Sequence, residues 1–305
     1  MSKIPVTPLA KMMAAKENVD LSAVVPTGKD GNVRFINSAD IRKHRATPLA
    51  KKIAKEKDVD ISFVRKDGKV TSSDVLKYAE SLGGQGAYRL SGGRSRIYEN
   101  LSKSVTETIP YTLFGKADVT KAYEYYLSLK EKGGKVSMTD IFMYALSRAL
   151  RDNNILNTTR KDGYYIKNDD INICLVTDSG GNILTPVIHN ADRLDISSLA
   201  AKRAEFLGKV ASSKLSSEEM NGGTFTLSNL GQSPVGHFTP VINHPQSAIL
   251  GVGRTEDEIY LKDGVLMTRK VSYLSLTADH AIIDGKVAAK FLKDMEYYLG
   301  EVENG

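Results

Sequence analysis

The sequence has no tryptophan and a single cysteine, Cys174. One thiol excludes a disulfide framework and a multi-thiolate metal site, and it fits a reducing compartment. No apolar run approaches the roughly 20 residues that a bilayer-spanning helix needs. The amino terminus, Met1-Ser-Lys-Ile-Pro-Val-Thr-Pro8, lacks the apolar stretch of a secretory signal. These absences predict a soluble cytoplasmic protein with no membrane association. Histidines number only five, and none stands near His280 at ligand spacing, so no metal is expected. There is no arginine-rich run, no basic stretch interleaved with aromatics and no zinc-ligand spacing, which argues against nucleic acid as a partner.

What is present is unevenly distributed. A chain of 305 residues can bury a large core and hold more than one domain. The net charge of +6 belongs to the amino-terminal quarter alone: residues 1 to 80 hold 16 Lys and Arg against 10 Asp and Glu, and the remainder holds 26 against 26. A small basic region on a neutral body predicts an acidic partner for that region. The same region repeats itself. Thr7-Pro-Leu-Ala-Lys11 returns as Thr47-Pro-Leu-Ala-Lys51, and Val19-Asp-Leu-Ser22 as Val59-Asp-Ile-Ser62, both at an offset of 40. Lys29-Asp-Gly31 then matches Lys66-Asp-Gly68, and Asp40-Ile41 matches Asp74-Val75, so the second copy is shorter by three residues at each of two points. Four matches in order mark a duplication.

Each copy predicts the same small unit. A Thr caps a helix that begins at Pro. That helix runs to about Asn18 or Asp58, Lys-Asp-Gly makes a tight turn, and a second helix starts near Ser38-Ala-Asp40 or Ser72-Ser-Asp74. The expected boundaries are 4–43 and 45–80. These motifs resemble the peripheral-subunit-binding domain of 2-oxo acid dehydrogenase complexes. The resemblance implies that each unit grips a partner enzyme, a dihydrolipoamide dehydrogenase or a 2-oxo acid decarboxylase subunit. The grip would run through Lys and Arg at the start of the first helix and in the loop. Carried over, the basic positions of the second copy are Lys51, Lys52, Lys55 and Lys69. The matching positions of the first are Lys11, Met12, Ala15 and Asn32, so only Lys11 keeps its charge.

Ser81-Leu-Gly-Gly-Gln-Gly86 reads as a flexible link over 81–87, and 88–305 as one α/β domain. Helical spacing predicts helices over 120–131, 139–152, 194–207 and 287–299. Alternation and turn residues predict strands over 171–176, 182–188, 224–228, 248–252 and 271–277, with a turn at 178–181.

The run Asp279-His280-Ala281-Ile282-Ile283-Asp284-Gly285 follows the last of these strands. In a helix, His280 and Asp284 would lie one turn apart on one face. The side chain of His280 suits proton transfer near neutral pH. Gly285 would allow a close backbone approach or a turn. Spacing alone also fits an ordinary surface pair.

The surrounding motifs resolve that choice. Leu90-Ser-Gly92 with Arg94, Thr185-Pro-Val-Ile188, Gly222-Gly-Thr-Phe-Thr-Leu-Ser-Asn-Leu-Gly231, Phe238-Thr-Pro-Val-Ile-Asn243 and Leu274-Ser-Leu276 stand in order before His280. The set, from Leu90 to Leu299, resembles the catalytic domain of the dihydrolipoamide acyltransferases, the core component of the same complexes. The resemblance implies a fold similar to chloramphenicol acetyltransferase, with trimers, or a larger trimer-based core, that place active sites between subunits. It implies His280 as the base that deprotonates the incoming thiol, and the Ser228 hydroxyl as oxyanion donor, reaching across from a neighbouring subunit. Thr226 is the rival donor on the same strand face. It implies that Asp284 pairs with a buried Arg holding the His loop, Arg94 being the candidate and Arg89 and Arg96 its competitors. Gly222, Gly223 and Gly231 flank the Ser228 strand, either beside a narrow substrate channel or as turn glycines.

Most such acyltransferases begin with a lipoyl domain carrying a Lys in an Asp-Lys-Ala loop, and this sequence has no such segment. The lipoyl group is therefore expected in trans, from a lipoyl-bearing protein, unless the chain is a truncated product. The expected function is transfer of an acyl group, acetyl by preference, between the dihydrolipoyl thiol and CoA. The acetyl preference follows from Phe238-Thr-Pro-Val-Ile-Asn-His-Pro245, which looks like the pyruvate-type enzymes. The alternative is a scaffold that only recruits peripheral dehydrogenase subunits. Charge distribution yields a test: Lys51→Glu with Lys52→Glu is expected to weaken binding of the peripheral enzyme and flatten its dependence on salt, whereas Kd and salt slope matching the wild type in titrations from low to high salt would refute the electrostatic role of the second copy.

Overall fold

A computed structural model of the chain describes residues 4–16, 19, 21, 24–30, 33–57, 59–64, 69–82, 93–180 and 182–302. It divides into two compact units, Met1–Arg89 and Leu90–Gly305.

The amino-terminal unit contains α1 (Pro8–Lys16), a β-ribbon of β1 (Gly28–Asp30) and β2 (Val33–Phe35), α2 (Ser38–Arg45), α3 (Pro48–Glu56) and α4 (Ser72–Leu82). The duplicated residues do duplicate work. Thr7 and Thr47 accept from the amides of Ala10 and Ala50 at 3.3 and 3.1 Å, capping α1 and α3. Asp40 accepts from the amide of Asn37 at 2.9 Å, and Asp74 from that of Thr71 at 2.8 Å, the same position three residues upstream in each copy. Asp40 also holds the Thr27 hydroxyl at 2.5 Å, and Asp74 the Thr71 hydroxyl at 2.5 Å. Each copy has its own small core. Ala10, Ala14, Val24, Ile36 and Ile41 fill the first, and Ala50, Ala54, Val59, Ile61, Val64 and Val75 are among those filling the second. The Lys66–Gly68 stretch of the second copy and the expected 81–87 link from residue 83 onward lie outside the described residues.

The second unit begins with α5 (Gly93–Glu107), β3 (Pro110–Asp118), α6 (Thr120–Glu131) and α7 (Met138–Asp152). Short strands follow: β4 (Thr158–Lys161), β5 (Tyr164–Lys167), β6 (Ile173–Leu175), β7 (Thr177–Ser179), β8 (Asn182–Leu184) and β9 (Val187–Ile188). The chain closes with α8 (Ile196–Ala211), β10 (Phe225–Asn229), β11 (Ala248–Lys262), β12 (Val265–Asp279) and α9 (Gly285–Gly300). One mixed sheet runs in the order β3-β12-β11-β10-β6-β9, with β10 parallel to both its neighbours and the other pairs antiparallel. Phe225, Leu227, Leu250, Leu274 and Leu276 point from the sheet into a core shared with Phe142 and Leu146 of α7 and Phe291 and Met295 of α9. Strand alternation then turns Thr226 and Ser228 to the opposite face. Among the described residues no helix is long and apolar enough to cross a membrane.

Three expectations change. The strand expected over 182–188 is two strands, because Pro186 has no amide to give to a ladder. The strand expected over 248–252 continues to Lys262, past the point where charged residues end the apolar pattern. It returns through Asp263 and Gly264, whose φ of 50° and 78° make the primed turn that suits a hairpin. The helix expected over 287–299 begins at Gly285, and residues 280–284 before it form a turn, so His280 and Asp284 do not share a helical face.

Gly253 packs where no side chain fits: a Cβ there would stand 1.6 Å from the carbonyl oxygen of Gly236. Gly253→Ala is expected to cost at least about 2 kcal/mol in denaturant unfolding, because rigid backbone and not a flexible side chain must yield.

Candidate active site

His280 stands in the turn that leaves β12. Its amide donates to the carbonyl of Ile109 at 2.8 Å, and the amide of Ile109 donates to Oδ1 of Asp279 at 2.9 Å, so the turn is pinned to the start of β3. Oδ1 of Asp279 also accepts from the amide of Ala281 at 3.1 Å. Oδ2 accepts from the hydroxyl of Tyr165, on β5, at 2.5 Å. Asp279 is wholly buried while the His280 side chain is exposed. The ring of Tyr111 lies 4.5 Å from the imidazole, and its hydroxyl donates to the carbonyl of Ile283 at 2.9 Å. Burial, followed by the charge of Asp284, pushes the Tyr111 hydroxyl above its ordinary range. Burial and the bond to Asp279 push Tyr165 up to about 12, so it remains a donor across physiological pH.

The expected ion pair between Asp284 and Arg94 is not seen within the chain. Asp284 is exposed and sits at the N-cap of α9 without a side-chain cap bond. Arg94 is exposed on α5, and among the described residues no ion pair joins it to Asp284. Arg89 and the side chain of Arg96 lie outside the described residues. The holding is done by Asp279, Tyr111 and Tyr165, which neighbour the turn in space without a charge partner in sequence. Gly285 needs neither close approach nor unusual backbone: a Cβ there would meet nothing within 4 Å.

Ser228 lines an apolar cleft of about 380 Å³ between α5, the β7–β8 hairpin, residues 238–243 and the sheet. Thr226, the rival hydroxyl, is wholly buried and donates to Oε1 of Gln246 at 2.6 Å. Gln246 in turn reaches the sulfur of Cys174 at 3.2 Å, and burial pushes that thiol up. The Ser228 hydroxyl has no hydrogen-bond partner among the described residues and is half-buried at the cleft wall. The glycines around its strand serve packing: a Cβ on Gly223 would meet the Cys174 sulfur at 2.0 Å, and Gly222 has a φ of 80°.

Ser228 and His280 do not meet within one chain. Ser228 pairs with Gly251, which pairs with Ser275, five positions short of His280 and two strands away. At about 3.4 Å per residue and about 4.8 Å per strand, they are separated by about 17 Å along the sheet and about 10 Å across it. Among the remaining histidines, His244 pairs with Glu107 at 3.2 Å and His237 lies between Phe114 and Tyr273. Among the described residues no group of three His, Cys, Asp or Glu is placed to hold a metal. In the amino-terminal unit, Lys11, Lys51, Lys52, Lys55 and Lys69 are all exposed, and Lys52 approaches Glu56 at 4.0 Å.

Residues 84–304 match the model of the 2-oxoacid dehydrogenases acyltransferase catalytic domain. The chain belongs to this acyltransferase family. Residues 4–34 and 45–76 each match the e3 binding domain, one segment per repeat. The acetyltransferase component of the pyruvate dehydrogenase complex of Mycoplasma capricolum is 33% identical over 98% of this chain and 69% of its own length. The succinyltransferase component of the 2-oxoglutarate dehydrogenase complex of Cupriavidus necator is 34% identical over 67% of this chain and 50% of its own. Among solved structures, the dihydrolipoamide acetyltransferase of Azotobacter vinelandii superposes with a TM-score of 0.69 at 28% identity, over 73% of this chain and 95% of that one. That work examined a serine, a histidine and an asparagine in its catalytic mechanism. The cubic core of a pyruvate dehydrogenase multienzyme complex superposes equally well, at a TM-score of 0.69 and 28% identity, over 73% of this chain and 95% of that one. This acyltransferase thus carries the mixed α/β catalytic domain of such cores behind two small helical binding segments.

The two aspartates of the motif predict opposite outcomes in unfolding. Asp279→Ala is expected to cost about 2 kcal/mol or more, because three part-buried donors that converge on one buried carboxylate lose their acceptor. Asp284→Ala, at an exposed position, is expected to change stability by no more than about 1 kcal/mol.

Proposed function

We propose that this chain transfers an acetyl group between a dihydrolipoyl thiol and CoA, at a site formed by His280 of one copy and Ser228 of another. The observation that carries the reading is the placement of these two groups. Both are accessible and uncommitted, yet the sheet holds them too far apart to act together in one chain. The serine and histidine examined in the Azotobacter acetyltransferase are separated in sequence by the same number of residues as Ser228 and His280. Its asparagine follows the histidine by four residues, the place Asp284 takes here.

The chemistry follows from the groups. The His280 imidazole takes the proton of the incoming thiol, because the thiolate is the nucleophile. The thiolate attacks the thioester carbonyl, and the Ser228 hydroxyl donates to the oxyanion of the tetrahedral intermediate. Collapse expels the second thiolate, which takes the proton back from the imidazolium. Asp284 contributes a negative charge at the start of α9, where the helix dipole favours it. The cleft at Ser228 is lined by Ile97, Leu101, Val241 and Ile249 among other apolar groups, and among the described residues no Lys, Arg or His lines it. This apolar lining supports an uncharged acyl group, whose burial needs no cation to offset it. The e3 binding segments support docking of dihydrolipoamide dehydrogenase or a decarboxylase subunit, and the likeness to a cubic core supports a trimer-based assembly. The lipoyl group and CoA are the reaction's substrates.

The test is acetyl transfer from acetyl-CoA to free dihydrolipoamide. Wild type is expected to turn over, with succinyl-CoA a poorer donor, and His280→Ala and Ser228→Ala each to lose at least about a hundredfold in kcat. Dissociating and reassembling the two variants together is expected to restore about a quarter of wild-type turnover, the share of interfaces that pair both intact groups. Wild type inert with acetyl-, propionyl-, succinyl- and isobutyryl-CoA would leave the scaffold function. Two inactive variants that never complement would overturn the shared site.

A further inference from the structure

Among the described residues of the catalytic domain two carboxylates are wholly buried, and they are neutralised in different ways. Asp140 meets a cation, with Arg203 donating through Nε at 2.7 Å and through a terminal nitrogen at 3.0 Å. Asp279 meets none among the described residues. Its donors are two backbone amides and one phenol. Arg160, on the same β4–β5 hairpin as the phenol, pairs with Glu107 at 3.7 Å. A buried carboxylate keeps its charge and its orientation only through such donors. Here the amides occupy one oxygen and Tyr165 alone occupies the other.

We infer that Tyr165 is a positioning residue for His280, acting through the carboxylate of Asp279. The inference rests on the reading of His280 as the base. Oδ1 of Asp279 receives the amides of Ile109 and Ala281, the latter directly following His280, so rotation of the carboxylate moves the peptide that carries the imidazole. Tyr165 stops that rotation from the far side. The hairpin that carries Tyr165 is itself anchored. The amide of Arg160 donates to the carbonyl of Pro245 at 2.7 Å, and the hydroxyl of Thr158 to that of Ser247 at 2.7 Å. The carbonyl of Ser247 then accepts from the amide of Asp279 at 2.9 Å, so the hairpin reaches Asp279 by two routes. Only the side-chain route fixes the carboxylate. The phenol does not touch substrate, so its removal is expected to appear in the chemical step and not in binding.

The experiment uses the full chain in the acetyl-transfer assay, with thermal unfolding followed in parallel and turnover measured well below every transition. Tyr165→Phe removes one oxygen. It is expected to lower kcat about tenfold or more while KM for acetyl-CoA and for dihydrolipoamide stays within about twofold. Tyr164→Phe, at the exposed neighbouring position, is expected to keep both. Should Tyr165→Phe be too unstable to assay, Asp279→Asn keeps the shape and one acceptor, and is expected to show the same loss confined to kcat. Wild-type kcat in Tyr165→Phe alongside an inactive His280→Ala overturns the positioning role and leaves the base intact. A rise in KM without loss of kcat, or an equal loss in Tyr164→Phe, overturns it as well. Full turnover in His280→Ala removes the base and this inference with it.

Discussion

The candidate site depends on one carboxylate that has left water. Asp279 is the last residue of β12, and its side chain gathers the start of β3, the turn after β12 and the β4–β5 hairpin around a single charge. Neutral donors suit that place. A guanidinium there would oppose the positive charge that an imidazole takes on when it accepts a proton, whereas amides and a phenol orient the carboxylate without adding a cation beside the base. Asp140 has no such neighbour to protect and is paired with Arg203, closing the start of α7 against α8.

Strand direction keeps Ser228 and His280 apart within one chain. β10 is parallel to β11 and β11 antiparallel to β12, so the carboxyl ends of β10 and β12 face opposite edges of the sheet. Ser228 lies near one such end and His280 just beyond the other. No rotamer change spans the resulting separation, and the strands between them are packed on the core. In the shared site proposed above, a second chain would supply the missing group without any strain in the first.

Local features were legible in the sequence because local physics sets them. The Thr7 and Thr47 caps and the Asp40 and Asp74 turns repeat because capping depends on residues three apart. Helices α6 and α7 and the end of β12 follow from apolar spacing. The long β11–β12 hairpin was missed because its outer half alternates with charge, although Asp263-Gly264 carried the turn signal. Tyr165 left no signal at all: it meets Asp279 across 114 positions, and nothing in either segment marks the other.

The two hydroxyls of β10 show how a network selects what a sequence leaves open. Thr226 and Ser228 share a face and a chemistry, yet Thr226 is taken by Gln246 and approached by Asn243, which Asn100 holds at 2.8 Å. That leaves Ser228 as the free donor. Gln246 is followed by Ser247, whose carbonyl receives the amide of Asp279. One short segment, 243–247, therefore bears on both the serine half and the histidine half of the chain. With the site shared as proposed, those halves belong to two different active sites. The same hydrogen-bonded segment thus supports the placement of both halves.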